Sequence, residues 1–349
     1  MKKLFVLVVA THIIFVQCKK ESELAPIRKD ALSPTIVTDK VPNDTDDPAI
    51  WINPQKPEES LIIGTDKETN GGLYVFNLQG KIVNKVTGLK RPNNVDIAYG
   101  FDWNGKKIDI AVTTERETNK IRIFQLPELA PIDNGGIEVF AGEKDQAPMG
   151  VALYTRPSDH AIFAIVGRKS GPKEGYLWQY RLSAENNVVK AEKVRAFGSF
   201  SQKKEIEAIA VDNENGYVYY SDEGVGIKKY MADPDLNNNT LLTTFGTKGF
   251  KSDHEGIALY KTSEKEGYII ISNQQANTFM IYPREGSKGN PNQHDLIAEV
   301  PLSSIECDGA DATSVSLGGK FPKGLLVVMS NGKVFQYYDW QIIEKQLKK

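Results

Sequence analysis

Cysteine and histidine are scarce in this sequence, and so is net charge. Its 349 residues contain two cysteines and four histidines, and the formal net charge at pH 7 is −2. This composition disfavours a zinc site built from thiolates or from a histidine cluster. If Cys18 is modified, Cys307 has no disulfide partner within the chain. The near-neutral charge gives no basic face of the kind that nucleic acid attracts, so we expect no nucleic-acid partner.

The apolar run at the N-terminus is too short for a transmembrane helix. Residues 4–16 are apolar apart from two positions, which makes about 13 residues, whereas a spanning helix needs about 20. Lys2 and Lys3 precede the run as a basic segment. This arrangement is typical of a secretory leader, so residues 1–17 are predicted to be a signal peptide and are left out of the fold.

The leader is followed by QCKKES, which places Cys18 where a bacterial lipoprotein is cleaved and lipidated. Gln17 stands where a small residue is commoner. We predict lipidation at Cys18 and a tether over residues 18–34. The protein would then be exported and anchored in the outer membrane, facing the periplasm or the cell surface, with ordinary secretion as the alternative. Its contact with membrane would be through the lipid alone.

Several familiar catalytic motifs are also missing. The sequence has no G-x-S-x-G elbow, no P-loop and no H-E-x-x-H. The R-H-G-x-R-x-P motif of histidine acid phosphatases is absent too. One of the four histidines lies in the predicted leader, so a histidine nucleophile is poorly supported.

What the sequence does contain is one pattern repeated six times. Each copy has two β-rich runs on either side of a polar turn, and the starts lie 47, 53, 55, 51 and 57 residues apart. Six hairpins at this spacing, with further short β-rich pieces between them, predict an all-β, six-bladed β-propeller over residues 35–349. A β-sandwich would not explain the even spacing. We expect residues 34–41 to supply a strand that closes the ring, and residues 342–348 to form a short helix. The copies begin at Ser60, Lys107, His160, Asn215, Glu266 and Lys323.

Acidic residues cluster beside these strands. Loops from all blades converge at one end of a propeller, so clusters distant in sequence are expected to meet there. Their oxygen-rich composition suits calcium, which takes six to eight oxygen ligands; the alternative is that they are ordinary turn residues. In the first cluster, Pro48 is expected to end a polar loop and residues 49–51 to begin a buried strand. The clusters are DTDD (44–47), NNVD (93–96), KEIEAIAVD (204–212), SDEG (221–224), SDHEG (252–256) and CDGAD (307–311).

Basic residues occupy the hairpin turns of the first three blades. Calcium held by acids beside lysine and arginine would suit a ligand with many negative charges, and phosphate is the obvious candidate. The alternative is solvated surface charge. The residues are Lys67, Arg116, Arg168 and Lys169.

The motifs DDPAIW, GTDK with a following GGL, NNVD, E-x-x-A before DEG, D-x-EG, SNQ and DGAD occur in one order. Together they resemble the β-propeller phytases over residues 36–341. The resemblance implies calcium-dependent hydrolysis of phytate (myo-inositol hexakisphosphate) by a metal-activated water, with release of phosphate. It implies several calcium ions. A closed propeller needs no partner chain, so we expect a monomer.

The resemblance also implies roles for particular residues. Glu223, Lys67 and Arg116 would be catalytic, and Lys67, Arg116, Arg168 and Lys169 would bind substrate. The metal ligands, with neighbours from the same clusters, would be Asp46, Asp47, Asp96, Glu207, Glu223, Asp253, Glu255, Gln274, Asp308, Gly309 and Asp311.

The chain departs from the family pattern at three places. Only Asp39 lies near the position before DTDD where the family often has a glutamate, Met149 replaces a phosphate-contacting tyrosine, and residues 330–332 lack a frequent acid. Two other functions stay open. One is a calcium-dependent propeller lactonase or esterase, against which the basic turns argue. The other is a non-catalytic lipoprotein whose propeller binds a ligand.

Overall fold

The computed structural model describes residues 24–348, so the predicted signal peptide and Cys18 lie outside the described residues. Within that range the strands form six antiparallel sheets. No helix in residues 24–348 is long and apolar enough to cross a membrane.

Each sheet is one blade of a ring. Blade one contains β2 (Thr45–Trp51), β3 (Leu61–Asp66), β4 (Gly71–Phe76) and β5 (Ile82–Leu89). Blade two contains β6 (Pro92–Trp103), β7 (Lys106–Glu115), β8 (Lys120–Leu126), β9 (Ala130–Pro131) and β10 (Ile137–Glu138). Blade three contains β11 (Pro148–Thr155), β12 (Ile162–Arg168), β13 (Glu174–Glu185) and β14 (Val188–Ser199).

The second half of the chain repeats this order. Blade four contains β15 (Ile209–Asp212), β16 (Tyr217–Asp222), β17 (Gly226–Met231) and β18 (Thr243–Phe245). Blade five contains β19 (His254–Lys261), β20 (Gly267–Asn273), β21 (Thr278–Pro283) and β22 (Ala298–Pro301). Blade six contains β23 (Ala310–Thr313), β24 (Leu325–Ser330), β25 (Val334–Asp339) and β1 (Ile36–Val37). The six predicted hairpins and the six-bladed propeller are confirmed.

The middle strands of the blades are mostly buried, and some are buried along their whole length. Every residue of β4, β12 and β24 is buried. Each blade packs against a neighbour on both faces, so these strands read as continuous apolar runs rather than as alternating ones. The outer strand β14 has water on one side, and it carries most of its charged residues at exposed positions.

The ring is closed by the strand that the sequence places at residues 34–41. β1 is only two residues long, and it pairs antiparallel with β25. Beyond its end, the backbone N–H of Thr38 donates to the carbonyl of Phe335 at 3.0 Å, and the N–H of Phe335 donates to Oγ1 of Thr38 at 2.9 Å. An N-terminal segment therefore supplies the outermost strand of the last blade.

The chain has one α-helix among the described residues and four short 3₁₀ helices. Helix α1 (Trp340–Leu347) begins two residues before its predicted start, and its first turn is capped by the side chain of Asp339. Trp340 stacks on Tyr260 of blade five, with ring centroids 3.5 Å apart. The 3₁₀ helices are Pro57–Glu59, Arg116–Thr118, Pro234–Leu236 and Gln274–Ala276.

Residues 24–34 belong to the predicted tether, and in the structure they pack along blade five. The N–H of Leu32 donates to the carbonyl of Pro301 at 2.9 Å, and the N–H of Ser303 donates to the carbonyl of Leu32 at 3.0 Å. The described part of the tether is therefore part of the fold.

The prediction that DTDD lies in a loop is wrong. Strand β2 begins at Thr45, so Asp46 and Asp47 are strand residues. The pairing of β2 with β3 shifts register between Thr45 and Pro48, which is a β-bulge at the start of the innermost strand. A bulge turns side chains away from their regular alternation and is common beside functional sites. The innermost strands of blades two, three and five have similar shifts near their starts.

Candidate active site

One face of the ring carries a charged pocket. We call this the site face; it bears the turns between the second and third strands of each blade and the starts of the innermost strands. The pocket has a volume of about 230 Å³, and all six blades contribute to it. It is lined by Lys67, Arg91, Arg116, Met149, Lys169, Glu205, Glu207, Glu223, Glu255 and Asp308.

Blade four supplies three carboxylates to one side of the pocket. One oxygen from each of Glu205, Glu207 and Glu223 lies within 4.8 Å of the other two. Glu205 and Glu207 are alternate residues of the segment before β15, and Glu223 sits in the turn after β16. The N–H of Glu223 donates to the carbonyl of Glu205 at 3.1 Å, which holds the turn against that segment. Burial, and then the nearby Glu207 and Glu205, raise the pKa of Glu223 to about 8.

Blades five and six add Glu255 and Asp308. Glu255 is 6% exposed, and its Oε2 has no hydrogen-bond partner among the described residues. Burial, with further contributions from Glu223 and Glu207, raises the pKa of Glu255 well above its ordinary value. Asp308 accepts hydrogen bonds from Nε2 of Gln274 and, at 3.0 Å, from Nζ of Lys67. The carboxylates of blades four, five and six thus concentrate negative charge on one side of the pocket.

Basic side chains form the other side of the pocket. Nζ of Lys67 is bracketed by Asp46 and Asp308. Burial alone would lower the pKa of Lys67, but the charges of Asp46, Asp308 and Glu207 outweigh it and hold that pKa above its ordinary value. Lys169 pairs with the carboxylate of Glu205. These lysines therefore meet the acid cluster directly.

Arg116 is held by an asparagine of the NNVD motif. Its Nη2 donates to Oδ1 of Asn93, and Nδ2 of Asn93 donates to Asp46 at 2.7 Å and to Glu207. Asn93 is fully buried and links the acid of blade one to that of blade four. Its amide makes Arg116 part of the same network.

The structure places Arg168 outside this pocket, although it is next to Lys169 in the sequence. Its side chain is 1% exposed, and Nη1 donates to Glu143 at 3.2 Å and to the carbonyl of Asp145 at 3.0 Å. The guanidinium lies over the ring of Phe140, 4.5 Å from its centroid. In this position Arg168 supports blade three and makes no contact with the pocket, contrary to its predicted role in substrate binding.

Three of the predicted metal ligands lie in the central channel and not in the pocket. Asp47, Asp96 and Asp311 line a larger cavity of about 670 Å³. Each accepts a backbone N–H from the innermost strand of the next blade: Asp47 from Val95 at 3.0 Å, Asp96 from Leu153 at 2.7 Å and Asp311 from Ile50 at 2.8 Å. Burial raises the pKa of Asp96 to about 7 and that of Asp311 to about 6. These aspartates join neighbouring blades.

The remaining predicted ligands surround the two cavities. Asp46 is buried between Lys67 and Asn93. Gly309 packs against Asp47 so closely that a Cβ atom would lie 2.3 Å from its Oδ1, so only glycine fits there. Asp253 and Gln274 sit at the rim, where Asp253 pairs with Lys204.

Two charged residues of the pocket, Glu205 and Arg91, are not among the site residues predicted from the sequence, although Glu205 lies in the KEIEAIAVD cluster. The sequence contains a signal for Glu205. Residues two apart on an extended segment point to the same side, so Glu205 is expected to face the site together with Glu207. Arg91 has no such signal. It has a left-handed backbone with φ of 58°, its N–H donates to the carbonyl of Glu68 at 3.0 Å, and its carbonyl accepts from the N–H of Arg116 at 3.1 Å. These contacts place it between the turns of blades one and two.

The donor set of the pocket fits a hard cation. The groups on the acidic side are all carboxylate oxygens, which are the ligands that calcium prefers. The buried Oε2 of Glu255 lacks a partner among the described residues, and a bound cation would satisfy it. Glu205, Glu207, Glu223 and Glu255 could hold such an ion.

Fold and site together define a β-propeller whose site-face pocket pairs a carboxylate cluster with basic residues. The family model described as Phytase matches residues 3–348, and the chain belongs to the phytase family. The chain is also 30% identical over 322 residues to the 3-phytase of Bacillus subtilis (strain 168), covering 86% of this chain and 81% of that protein. The resemblance seen in the sequence is confirmed.

Two solved structures show a weaker likeness. The WD40 β-propeller domain of Doa1 has a TM-score of 0.49 and 14% identity, covering 83% of this chain and 77% of that one. A chain of the mitotic checkpoint complex has a TM-score of 0.48 and 10% identity, covering 95% and 99%. The fold is assigned from the six sheets themselves.

Proposed function

We propose that this protein hydrolyses phosphomonoesters of phytate and that it requires calcium. Membership of the phytase family and the similarity to a 3-phytase support phytate as the substrate. The observation that carries the proposal is the pocket itself, where Glu205, Glu207 and Glu223 come within 4.8 Å of one another and face basic residues of blades one to three.

Calcium is the cofactor that this donor set suits. Calcium bound at Glu205, Glu207, Glu223 and Glu255 would neutralise phosphoryl oxygens and lower the pKa of a bound water. Residues 24–348 contain no thiolate or histidine cluster that would favour a softer metal.

The chain's own residues bind and orient the substrate. Lys67, Arg116 and Lys169 donate to phosphoryl oxygens, in exchange for the carboxylate and amide partners that they contact now. They thereby stabilise the charge that builds up on those oxygens as the ester bond breaks. Glu223 accepts a hydrogen bond from the attacking water and orients it. No side chain forms a covalent bond to phosphorus, in keeping with the lack of a nucleophile motif.

Phosphate release from phytate tests the proposal. The purified chain is incubated with phytate near neutral pH across a range of calcium concentrations and with a chelator. We expect release that depends on calcium and stops with the chelator. No release at any calcium concentration would overturn the proposal. Turnover of lactones with indifference to polyphosphates would favour the lactonase alternative.

Two glutamate variants in the pocket, with a third on the opposite face as a control, separate catalysis from binding. Glu205→Gln removes one charge from the cluster and is expected to lower the rate at limiting calcium by about tenfold or more. Glu185→Gln, at an exposed position on the opposite face, should leave the rate unchanged. Glu223→Gln should abolish turnover while phytate still binds. If Glu223→Gln leaves turnover unchanged, the role given to Glu223 is wrong; if the wild type binds phytate without turnover and the variant keeps that affinity, the pocket belongs to a non-catalytic binding protein.

We also propose that Cys18 is lipidated after export. The support is the N-terminal leader and the position of Cys18 after it. When the full chain is expressed in a bacterium, the wild type should partition into detergent and Cys18→Ser should stay in the aqueous phase. Equal partitioning of the two would contradict the anchor.

A further inference from the structure

The described chain begins at the rim of the site face. The carbonyl of Ala25 accepts a hydrogen bond from Nδ2 of Asn277 at 2.9 Å. Asn277 ends the turn between β20 and β21, which is one of the site-face turns. The same turn carries Gln274, whose amide reaches Asp308 in the pocket. The N-terminal segment therefore reaches the propeller beside the pocket.

This position is fixed by contacts on both sides. Asn277 is 3% exposed, and its Oδ1 accepts from the N–H of Glu306 at 3.1 Å, so its amide cannot turn away freely. Further along the segment, Arg28 approaches Glu299 of β22 at 3.9 Å, and Leu32 is bound to blade five through backbone hydrogen bonds. The segment thus cannot swing to the opposite face without breaking these contacts.

The chain between Cys18 and Leu24 is short. Six residues span at most about 20 Å when fully extended. Reaching the opposite face would require passing along a blade whose strands of six to eight residues are themselves about 20–26 Å long. A lipid on Cys18 is therefore held closer to the site face than to the opposite face.

Charge on the same face suits a lipid surface. The loops that precede blades four and five carry exposed lysines, and bacterial membranes contain anionic headgroups that attract such residues. The loop before blade five lies next to the turn that holds Ala25, because the N–H of Lys251 donates to Oδ1 of Asn273 at 2.9 Å. The loop before blade four contacts that loop through the ion pair of Lys204 with Asp253. The lysines are Lys203, Lys204, Lys248 and Lys251.

From these observations we propose that the anchored protein turns its pocket toward the lipid surface that holds it. The inference rests on the proposed lipidation of Cys18. It implies that the pocket receives small, freely diffusing polyphosphates that enter between protein and membrane. Polyphosphates attached to bulky carriers would be excluded for as long as the anchor is short.

Two variants that each introduce one further cysteine measure the orientation. Lys248→Cys places a label on the site face, and Glu264→Cys places one on the opposite face of the same blade, in the turn between β19 and β20. Cys307 is 2% exposed and Cys18 would carry lipid, so only the introduced thiol reacts. The labelled full chains are incorporated into phosphatidylethanolamine and phosphatidylglycerol vesicles that contain a headgroup acceptor dye.

We expect energy transfer from position 248 to be several-fold stronger than from position 264. Equal or reversed transfer would overturn the inference. Phytate hydrolysis by the same two variants in detergent solution is measured in parallel, so a failure of orientation is distinguished from a failure of activity. If the wild-type chain does not bind the vesicles, the proposed lipid anchor is wrong, and so is the inference that rests on it.

A longer tether should abolish the preference. Inserting about 12 glycine and serine residues between Cys18 and Leu24 adds up to about 40 Å of reach, so transfer from the two positions should become similar. The same insertion between Asn186 and Asn187, in the exposed turn after β13, should leave the difference intact. If the tether insertion changes nothing, the orientation has another cause and the inference is wrong.

Discussion

Arg168 and Lys169 are adjacent residues in opposite environments. β12 ends at Arg168, whose guanidinium lies among the rings of Phe140, Tyr176 and Trp178. The side chain of Lys169 is 46% exposed and reaches the pocket. Arg168 is held by the aromatic rings of blade three, whereas Lys169 lies in the turn that follows β12 and can face the substrate.

Alanine at each position should therefore have a different effect. Arg168→Ala leaves a cavity between aromatic rings and should reduce the free energy of unfolding by about 2–4 kcal/mol. Lys169→Ala removes a charge-assisted contact and should lower kcat/KM for phytate by about tenfold or more, with little change in stability. Urea unfolding and steady-state kinetics measure the two effects. The assignment fails if Arg168→Ala, while still folded, has the larger kinetic defect.

Lys229 is a buried base outside the site. It is 0% exposed, its Nζ donates to the carbonyl of Pro291, and it lies 3.2 Å from Nε2 of His294 and 3.7 Å from the ring centroid of Tyr217. Burial lowers the pKa of Lys229 to about 8, and the charge of Asp212 opposes the shift only in part. Its charged form is therefore destabilised in the folded protein.

This shift predicts a pH dependence of stability. Between the folded pKa of about 8 and the ordinary value of 10.5, the unfolded chain binds more protons. The free energy of unfolding should therefore rise with pH across this window, by up to about 3 kcal/mol from this residue. Urea unfolding at pH 7.5 and 9.5, at constant calcium, should show a smaller rise for Lys229→Met than for wild type. Identical rises would refute the assignment.

At the scale of elements, the β-bulges aim the acidic side chains. Asp46 and Asp47 lie within the register shift at the start of β2, and Asn93 lies within that of β6. Asp46 faces the pocket lysine while Asp47 accepts from Val95 in the channel. Because of the bulge, Asp46 points into the pocket and its neighbour Asp47 points into the central channel.

Substitutions at Thr38, beside the closing strand β1, should change the stability of the ring. Thr38→Pro removes the N–H that donates to Phe335 and the Oγ1 that accepts from it, and should cost about 3 kcal/mol of unfolding free energy. Thr38→Val keeps the backbone donor and should cost about 0.5–1.5 kcal/mol. Chemical unfolding of both variants provides the comparison. Equal losses would mean that the backbone bond to β25 does not contribute to closing the ring.

At the scale of the whole molecule, all six blades contribute charge to one pocket. Buried carboxylates in such proximity repel one another, and the raised pKa values of Glu223 and Glu255 reflect that repulsion together with burial. A cation bound by several blades would relieve the repulsion and join the blades.

Calcium should therefore stabilise the entire propeller. A ligand that binds only the folded state adds about 2.7 kcal/mol for each site at a hundred times its Kd. Thermal melts with calcium and with a chelator should differ by many degrees. Glu207→Gln should reduce the difference, and Glu185→Gln should not. A melting temperature that does not respond to the chelator would count against calcium in the fold.

The sequence by itself determined the architecture and the chemical character of the site. Apolar runs and polar turns are local signals, and repeating them six times at even spacing leaves a ring of hairpins as the arrangement that buries them. The acid and base clusters lie at fixed places relative to those hairpins. The sequence therefore indicated a site rich in carboxylate and basic groups.

Only the tertiary structure decided which of those groups meet. Arg168 and Lys169 were equivalent by position, and the packing of blade three against its neighbours separates them. Asp47, Asp96 and Asp311 matched the same motifs as the pocket acids, yet they bind the next blade within the channel. Arg91 joins the pocket through contacts between two turns. Side-chain direction depends on bulges and on blade-to-blade packing, which involve residues far apart in sequence.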